Sequence, residues 1–220
     1  MNDKNPNKNN FNKKMKDHYR EVLNSAEEYK QCLNPEFKKE LLPEEIAWMS
    51  LSTLNPFSQA NLKEGQKVLD IGCGAGADCF LAAELVGKVG KVVGVDPVEE
   101  VIQKAKNLKE KYKYTNIEFI VSYGEHISFD NNIFDMVIMN YSFHLVKEKK
   151  KLIKIIYEIL NTEGKLVIAD SFESLETSFE ENPKRWFYNA GGSLTPEKLK
   201  MIALETGFKK IRYKDEKNKK

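Results

Sequence analysis

The stretch from Lys67 to Gly76, Lys-Val-Leu-Asp-Ile-Gly-Cys-Gly-Ala-Gly, decides the fold of this chain. Its first half reads as a short apolar strand, Val68 to Ile71, and its second half as a glycine loop. A helix pattern follows at once. Apolar residues share one face of that helix: Phe80, Leu81, Ala82, Leu85 and Val86. Strand, glycine loop and helix in this order are typical of a nucleotide site at the carboxyl end of the first strand of an α/β sheet.

The spacing of the loop glycines indicates which ligand the loop binds. A dinucleotide fingerprint is Gly-x-Gly-x-x-Gly, whereas Gly72, Gly74 and Gly76 give Gly-x-Gly-x-Gly. Asp70 lies two residues before the first glycine, where an acid would repel a pyrophosphate but suits the positive amino acid end of S-adenosylmethionine. Glycine also lets a ligand approach the main chain. We therefore predict that Asp70 and the three glycines bind S-adenosylmethionine.

A second acid supports this interpretation. Asp96 closes the next predicted strand, Lys91 to Asp96, and lies 20 residues after Gly76. An acid about 20 residues beyond the glycine loop binds the ribose hydroxyls in such folds. The alternative is a glycine turn with Asp96 capping the following helix. With loop, acid and strand–helix context together, the region resembles motif I of class I S-adenosylmethionine-dependent methyltransferases.

Composition narrows the class of protein. The chain has 220 residues, 41% of them hydrophobic, and a net charge of +2, which suits one domain with a full core and gives no strong field for nucleic acid. No apolar run approaches the ~20 residues of a membrane span. The three cysteines have no paired spacing and the chain has no Cys-x-x-Cys. We expect a cytoplasmic protein without metal, nucleic acid or membrane as partner; the oligomeric state stays open.

Strand and helix patterns alternate from Lys67 onward, which predicts an α/β fold with a doubly wound, mainly parallel sheet. We divide the chain into a disordered tail (1–14), an N-terminal helical lid (15–62), a methyltransferase domain (63–214) and a second tail (215–220). The predicted strands are 68–71, 91–96, 117–121, 134–139, 165–169 and 210–213. The predicted helices include 15–30, 43–54, 98–112, 148–160 and one that begins after Thr195 and ends at Gly207.

The methyltransferase resemblance implies a seventh, antiparallel strand between strands five and six, for which this C-terminal end is too short. Two arrangements stay open. Strand six lies directly beside strand five, or an edge of the sheet is covered by another chain or by the N-terminal segment.

Two loops after predicted strands carry further candidate residues. In the loop after strand three, the resemblance implies contacts with the adenine ring, for which Gly124 and Glu125 are candidates. In an alternative register, the acid of the family falls on Tyr123. The simpler interpretation of this loop is an ordinary turn. In the loop after strand four, Asn140 is placed to meet the methionine end of the cofactor. Tyr141 and His144 are candidate catalytic residues facing the substrate, although a histidine beside Phe and Leu is often a packing residue.

An aromatic segment follows strand five. Trp186, Tyr188 and Asn189 are candidates for a wall of the substrate pocket, although such a cluster also fits a hydrophobic satellite under a long loop. Tyr19, on the predicted N-terminal helix, is expected to close the top of the same pocket.

Over most of its length the chain resembles the arsenite S-adenosylmethionine methyltransferases. The matching stretches are His18 to Leu23, Asn55-Pro56, Val68 to Ala83 and Ala190 to Leu194, of which Asp78 to Ala83 is the most specific. That family holds trivalent arsenic with cysteine thiolates, as a soft centre requires. The family cysteines fall here on Tyr141, on Asn189 or Tyr188, and near Thr53 and Leu54, while Cys32 matches the N-terminal one. One thiolate does not chelate arsenic as two or three do.

The sequence therefore predicts methyl transfer from S-adenosylmethionine to a small molecule other than arsenite, by direct displacement. Holding the acceptor in line with the methyl group can supply most of the catalysis. Two alternatives remain: an arsenite methyltransferase that uses few cysteines plus an external thiol, and a cofactor-binding protein without turnover. A nicotinamide-dependent oxidoreductase is disfavoured by the early third glycine and by Asp70.

Overall fold

A computed structural model describes residues 13–14, 16–18, 40–50, 52, 54–172 and 192–214. Its strands are β1 (Lys67–Ile71), β2 (Lys91–Asp96), β3 (Ile117–Val121), β4 (Phe134–Asn140) and β5 (Leu160–Ala169). Its α-helices of four residues or more are α1 (Glu44–Ala47), α2 (Phe57–Ala60), α3 (Ala77–Val86), α4 (Glu99–Lys111), α5 (Lys149–Ile159) and α6 (Pro196–Thr206). Two single 3₁₀ turns, Gly124–His126 and Phe143–Leu145, follow β3 and β4.

The five strands form one sheet in the order β3-β2-β1-β4-β5, and every neighbouring pair is parallel. The order reverses between β1 and β4, so the connections leave this point toward opposite edges of the sheet. Parallel strands must be covered on both faces, which explains why β1 and β4 are buried almost along their whole length. The predicted α/β, doubly wound, Rossmann-like fold is confirmed, and the pairing among the described strands is entirely parallel.

Helices cover the two faces of the sheet with separate cores. One core packs α3 and the buried face of α4 against the sheet, around Phe80 and Phe119. The other packs α5 and α6 against the opposite face, around Leu152 and Ile156. Helix α3 is buried on nearly every side, because it contacts β1, β2 and β3 and lies beneath α1.

The ends of several helices are fixed by capping residues. The Thr195 side chain accepts a hydrogen bond from the Lys198 N–H at 3.2 Å, and Pro196 occupies the first turn of α6. Gly207 ends that helix with a φ of 124°. The Asn116 amide closes the end of α3 by donating to the carbonyls of Ala83 and Gly87. Such caps satisfy backbone groups that a helix leaves without internal partners.

Three predicted elements differ in the structure. The helix expected over 43–54 is only the single turn α1, because Ser52 and Leu54 form a side-chain turn instead. The strand expected over 165–169 begins earlier, because β5 starts at Leu160 directly after α5 and absorbs an irregularity in its register with β4. The strand expected over 210–213 is wrong: these residues are mostly exposed and form no strand, so no described strand pairs with the outer edge of β5.

The N-terminal region is described only in part. Residues 16–18 are helical, as predicted for 15–30, and residues 13–14, which were assigned to the disordered tail, are helical as well. Residues 15 and 19–39 lie outside the described residues. Within the described part of the chain, no helix combines the length and the apolarity needed to cross a membrane.

The close packing of α3 on the sheet gives a test of the core. At Gly94 in β2, a Cβ would lie 2.7 Å from Cys79 Sγ, 2.9 Å from Cys73 Sγ and 2.9 Å from Phe119 Cδ1. Gly94→Ala is therefore expected to lower the free energy of unfolding by about 2 kcal/mol through overpacking. Urea denaturation measures this. Lys91→Ala, at the exposed start of the same strand, is the control and should stay within about 0.5 kcal/mol of wild type; equal stability of the two variants would contradict the packing.

Candidate active site

A cleft of about 150 Å³ opens at the carboxyl ends of β1, β2, β3 and β4. It lies where the strand order reverses, which is where ligands bind in open α/β sheets. Four segments form its walls: the glycine loop after β1, the end of β2, the turn after β3 and the loop after β4. Met49, Ser50 and Ser52 from the N-terminal region complete the rim.

The glycine loop has left-handed backbone angles, with φ of 78° at Gly72, 53° at Gly74 and 89° at Gly76. Two of these glycines are also fixed by packing. A Cβ at Gly72 would lie 2.4 Å from the Ser142 Cβ, and one at Gly76 would lie 2.7 Å from the Phe119 Cζ. At Gly74 a Cβ would meet nothing within 4 Å, because this residue faces the cleft. The loop therefore presents bare main chain to a ligand.

Asp96 connects the glycine loop to the next helix. Its Oδ2 accepts a hydrogen bond from the Gly74 N–H at 3.1 Å, and its Oδ1 accepts one from the Val98 N–H at 2.9 Å. Burial raises the pKa of Asp96 to about 6, against the opposing effect of these hydrogen bonds and of the Lys16 charge. Asp96 thus accepts a hydrogen bond at the start of the following helix, as the alternative interpretation of this residue expected. It also lines the cleft.

Asp70 occupies a different place from the one expected. Its side chain is only 2% exposed, and its Oδ2 accepts a hydrogen bond from the Cys79 thiol at 3.2 Å. It is absent from the cleft wall, whereas Asp78, on the first turn of α3, is part of that wall. The acid before the first glycine therefore lies beneath the loop and an acid after the third glycine faces the cleft.

Asn140, at the end of β4, pairs with Asp78. Its Nδ2 donates to Asp78 Oδ2 at 2.8 Å and to the carbonyl of Leu54 at 3.3 Å. The Asn140 side chain is 8% exposed and lines the cleft. The structure thus places Asn140 on the cleft, joined to the N-terminal segment.

The turn after β3 places Tyr123, Gly124 and Glu125 on the cleft wall. Gly124 is tightly packed, since a Cβ there would lie 2.8 Å from the Ile71 Cγ2. Burial raises the pKa of the Tyr123 phenol, with smaller contributions from the Glu125 and Asp96 charges. Both registers considered for this loop therefore reach the cleft.

Tyr141 follows β4 with a φ of 54°, a conformation that a bulky residue rarely adopts and that is often found at functional sites. Its N–H donates to the Ala169 carbonyl at 2.8 Å, which fixes the backbone at the end of the sheet. The half-buried ring lines the cleft, and burial, assisted by the Asp170 charge, raises the pKa of its phenol. Tyr141 is therefore a neutral hydroxyl at ordinary pH.

His144 does not line the cleft. Its ring is fully buried, with Nδ1 2.8 Å from Asp170 Oδ1, while Asp170 Oδ2 accepts from the His144 N–H at 3.0 Å. The Tyr141 ring packs against the His144 ring in a tilted arrangement, with ring centroids 4.8 Å apart and an interplanar angle of 59°. Lys149 completes this cluster behind the wall by donating to the carbonyls of His144 and Val146. The cluster holds the loop after β4 from behind and does not contact the cleft.

The predicted substrate residues Tyr19, Trp186, Tyr188 and Asn189 lie outside the described residues, as does Cys32. The described part of the N-terminal segment does reach the cleft wall, because Lys16 Nζ lies 5.5 Å from the centroid of the Tyr123 ring. Within the described residues no cluster of His, Cys, Asp or Glu is suited to a metal ion.

Several cleft residues were not predicted from the sequence: Met49, Ser50, Ser52, Asp78, Ser122, His126, Ser142 and Lys147. Asp78 left a detectable signal, because it is an acid at the start of an otherwise mostly apolar helix. Ser142 left none. Its hydroxyl donates to the Ile71 carbonyl at 2.7 Å, a contact that depends on how β4 lies beside β1.

Known proteins have sequences similar to that of this chain. A family model described as "Methyltransferase domain" matches residues 62–214. An arsenite methyltransferase of Halobacterium salinarum is 32% identical over 165 residues, which cover 74% of this chain and 42% of that protein. A chloroplastic 2-phytyl-1,4-beta-naphthoquinone methyltransferase of Arabidopsis thaliana is 31% identical over 176 residues, which cover 69% of this chain and 67% of that protein. The chain thus spans about two fifths of the length of the arsenite relative.

The fold is also found among solved structures. An arsenic(III) S-adenosylmethionine methyltransferase from Chlamydomonas reinhardtii superposes with a TM-score of 0.67 at 25% identity, covering 79% of this chain and 61% of that one.

The buried Lys149 gives a pH test of the cluster behind the wall. Burial lowers the pKa of Lys149 from 10.5 to about 8, against the charges of Asp170 and Glu125. Between these two pKa values the unfolded chain holds a proton that the folded protein has released, so this group makes folding more favourable as the pH rises.

The free energy of unfolding of wild type minus that of Lys149→Met should therefore increase by about 2 to 3 kcal/mol between pH 7.5 and pH 10. Denaturant unfolding of both proteins at each pH measures it, and comparing them cancels the titration of other groups. A difference that stays constant with pH would mean that the ammonium is not buried in solution.

Proposed function

The chain belongs to the methyltransferase domain family, within the class I S-adenosylmethionine-dependent methyltransferases, and on this premise we propose that it transfers a methyl group to a small-molecule acceptor. The observation that carries the proposal is the glycine loop at the switch point of the sheet, with Gly74 open to the cleft and Asp96 beside it.

The residues present fit S-adenosylmethionine. Gly74 leaves bare main chain on the cleft floor, and the Asp96 carboxylate at the end of β2 is positioned to accept hydrogen bonds from ribose hydroxyls. The turn at Gly124 and Glu125 provides a backbone edge and an acid for the adenine ring. When bound, the cofactor supplies an electrophilic methyl group on a sulfonium. The protein then has to exclude water and to orient a nucleophile toward that methyl group.

Tyr141 is the described residue best placed to orient the acceptor. Its ring lines the cleft at the end of β4, and its phenol stays protonated, so it can donate a hydrogen bond but is not a base at neutral pH. His144 is fully buried behind it and bonded to Asp170. We therefore assign His144 to positioning the loop that carries Tyr141 rather than to proton transfer.

We propose an acceptor other than arsenite. Trivalent arsenic is soft and requires thiolates, whereas Tyr141 occupies the position of a cysteine in the arsenite enzymes that the chain resembles. Of the two described cysteines, Cys79 is fully buried and Cys73 is 8% exposed, and burial raises the pKa of both thiols. Their free, unpaired state also fits the cytoplasmic location that we propose.

The first test concerns the cofactor. S-adenosylhomocysteine should bind in calorimetry, and Asp96→Asn should weaken binding because ribose loses a charged acceptor. With the pKa of Asp96 near 6, lowering the pH from 7 to 5 protonates the carboxyl and should reduce the affinity of wild type about tenfold. The affinity of Asp96→Asn should lack this step. Parallel pH profiles for the two proteins would rule out Asp96 as the titrating contact, and binding of NAD alone would contradict the proposal.

The second test concerns the acceptor. Purified protein incubated with arsenite, S-adenosylmethionine and glutathione should give no methylarsenicals above background, because the cleft offers Tyr141 where thiolates are needed. Mass spectrometry of the products measures this, with a cysteine-bearing arsenite methyltransferase as the positive control. Robust methylation would instead support the alternative, in which few cysteines and an external thiol hold arsenic. Cofactor binding without methylation of any quinone or amine acceptor would favour a binding protein without turnover.

A further inference from the structure

We propose that Asp78 and Asn140, rather than Asp70, form the site for the primary ammonium of the bound cofactor. This inference rests on the proposed function, because it concerns one end of the same cofactor. It assigns a specificity role to Asp78, which was not among the binding residues predicted from the sequence.

The Asn140 amide has one possible orientation. Its two hydrogens are used by Asp78 Oδ2 at 2.8 Å and by the Leu54 carbonyl at 3.3 Å. Rotating the amide by half a turn would place its oxygen against two other oxygens, which the hydrogen-bond network disfavours. The remaining atom, Asn140 Oδ1, is buried and has no hydrogen-bond partner among the described residues. An unpaired buried acceptor costs free energy until a donor reaches it.

Asp78 adds negative charge beside this acceptor. It lies on the first turn of α3, where the helix dipole favours an acid. The carboxylate is 9% exposed and lines the cleft together with Asn140. The pair therefore offers the cleft oxygen acceptors and one negative charge, a combination that selects a cationic group with several N–H donors. A primary ammonium has these properties, whereas an ether or a carboxylate does not.

Asp70 cannot fill this role in the described conformation. Its side chain is 2% exposed, lies outside the cleft and accepts from the Cys79 thiol. Asn140 also joins the pair to the N-terminal segment, because its Nδ2 donates to the Leu54 carbonyl. Binding of the ammonium is thereby connected to the segment that forms the rim of the cleft.

The test compares two ligands that differ at one end. S-adenosylhomocysteine carries the amino acid, whereas 5′-methylthioadenosine has the same adenosine and thioether without it. Calorimetry on Asp78→Asn should show about a tenfold to hundredfold loss of affinity for S-adenosylhomocysteine, the range for losing a hydrogen bond to a charged group. Its affinity for 5′-methylthioadenosine should stay within about twofold of wild type, which also shows that the variant is folded.

Two matched controls separate the alternatives. Asp96→Asn should weaken both ligands alike, because both carry the ribose. Asp70→Asn should leave the affinity ratio of the two ligands at the wild-type value and act on thermal stability instead. If Asp78→Asn does not fold, Asn140→Ala gives the same comparison, since it removes the acceptor Oδ1.

The outcomes separate a failure of the ammonium site from a failure of the proposed function. If wild type does not bind S-adenosylhomocysteine, the proposed function fails. If wild type binds it and Asp78→Asn keeps the wild-type ratio of the two affinities, the ammonium assignment is wrong although the function stands. A changed ratio in Asp70→Asn alone would return the role to Asp70.

Discussion

The loops after β1 and β4 pack directly against each other at the point where the strand order reverses, and the site depends on this close contact. A Cβ on Gly72 would lie 2.4 Å from the Ser142 Cβ, so only glycine fits there. The Ser142 hydroxyl donates to the Ile71 carbonyl at 2.7 Å and ties the two strand ends together. Because both loops are fixed against each other, the main chain at Gly74 is left open toward the cleft.

The two sides of the loop after β4 have different surroundings and different roles. Behind it, Asp170, His144 and Lys149 form a buried polar cluster in which the carboxylate bonds both to the histidine ring and to its backbone N–H. Such a cluster is costly to bury but specifies one conformation when its groups are paired. In front of it, Tyr141 takes a left-handed backbone conformation and turns its ring toward the cleft. The buried cluster thus supports the strained residue that lines the cleft.

The matched region, residues 62–214, spans both the glycine loop and the loop after β4. The relatives that match it are nevertheless named for acceptors as different as arsenite and a naphthoquinone. In class I folds the strands fix the cofactor, and the loops beyond their carboxyl ends select the acceptor. A loop residue such as Tyr141 can therefore influence the choice of acceptor without any change in the sheet.

The sequence by itself determined the strands β1 to β4, the principal helices and the position of the site, because apolar periodicity and glycine spacing are local properties of the chain. It also located Asp96 and Asn140 on the cleft. The packing of α3 determines which acid lines the cleft. Asp70 and Asp78 both flank the glycine loop, yet α3 packs so that Cys79 covers Asp70, while Asn140, 62 residues away, bonds Asp78. Tertiary structure also decided that His144 is buried and that 210–213 is not a strand, since both depend on contacts between distant segments, which periodicity does not encode.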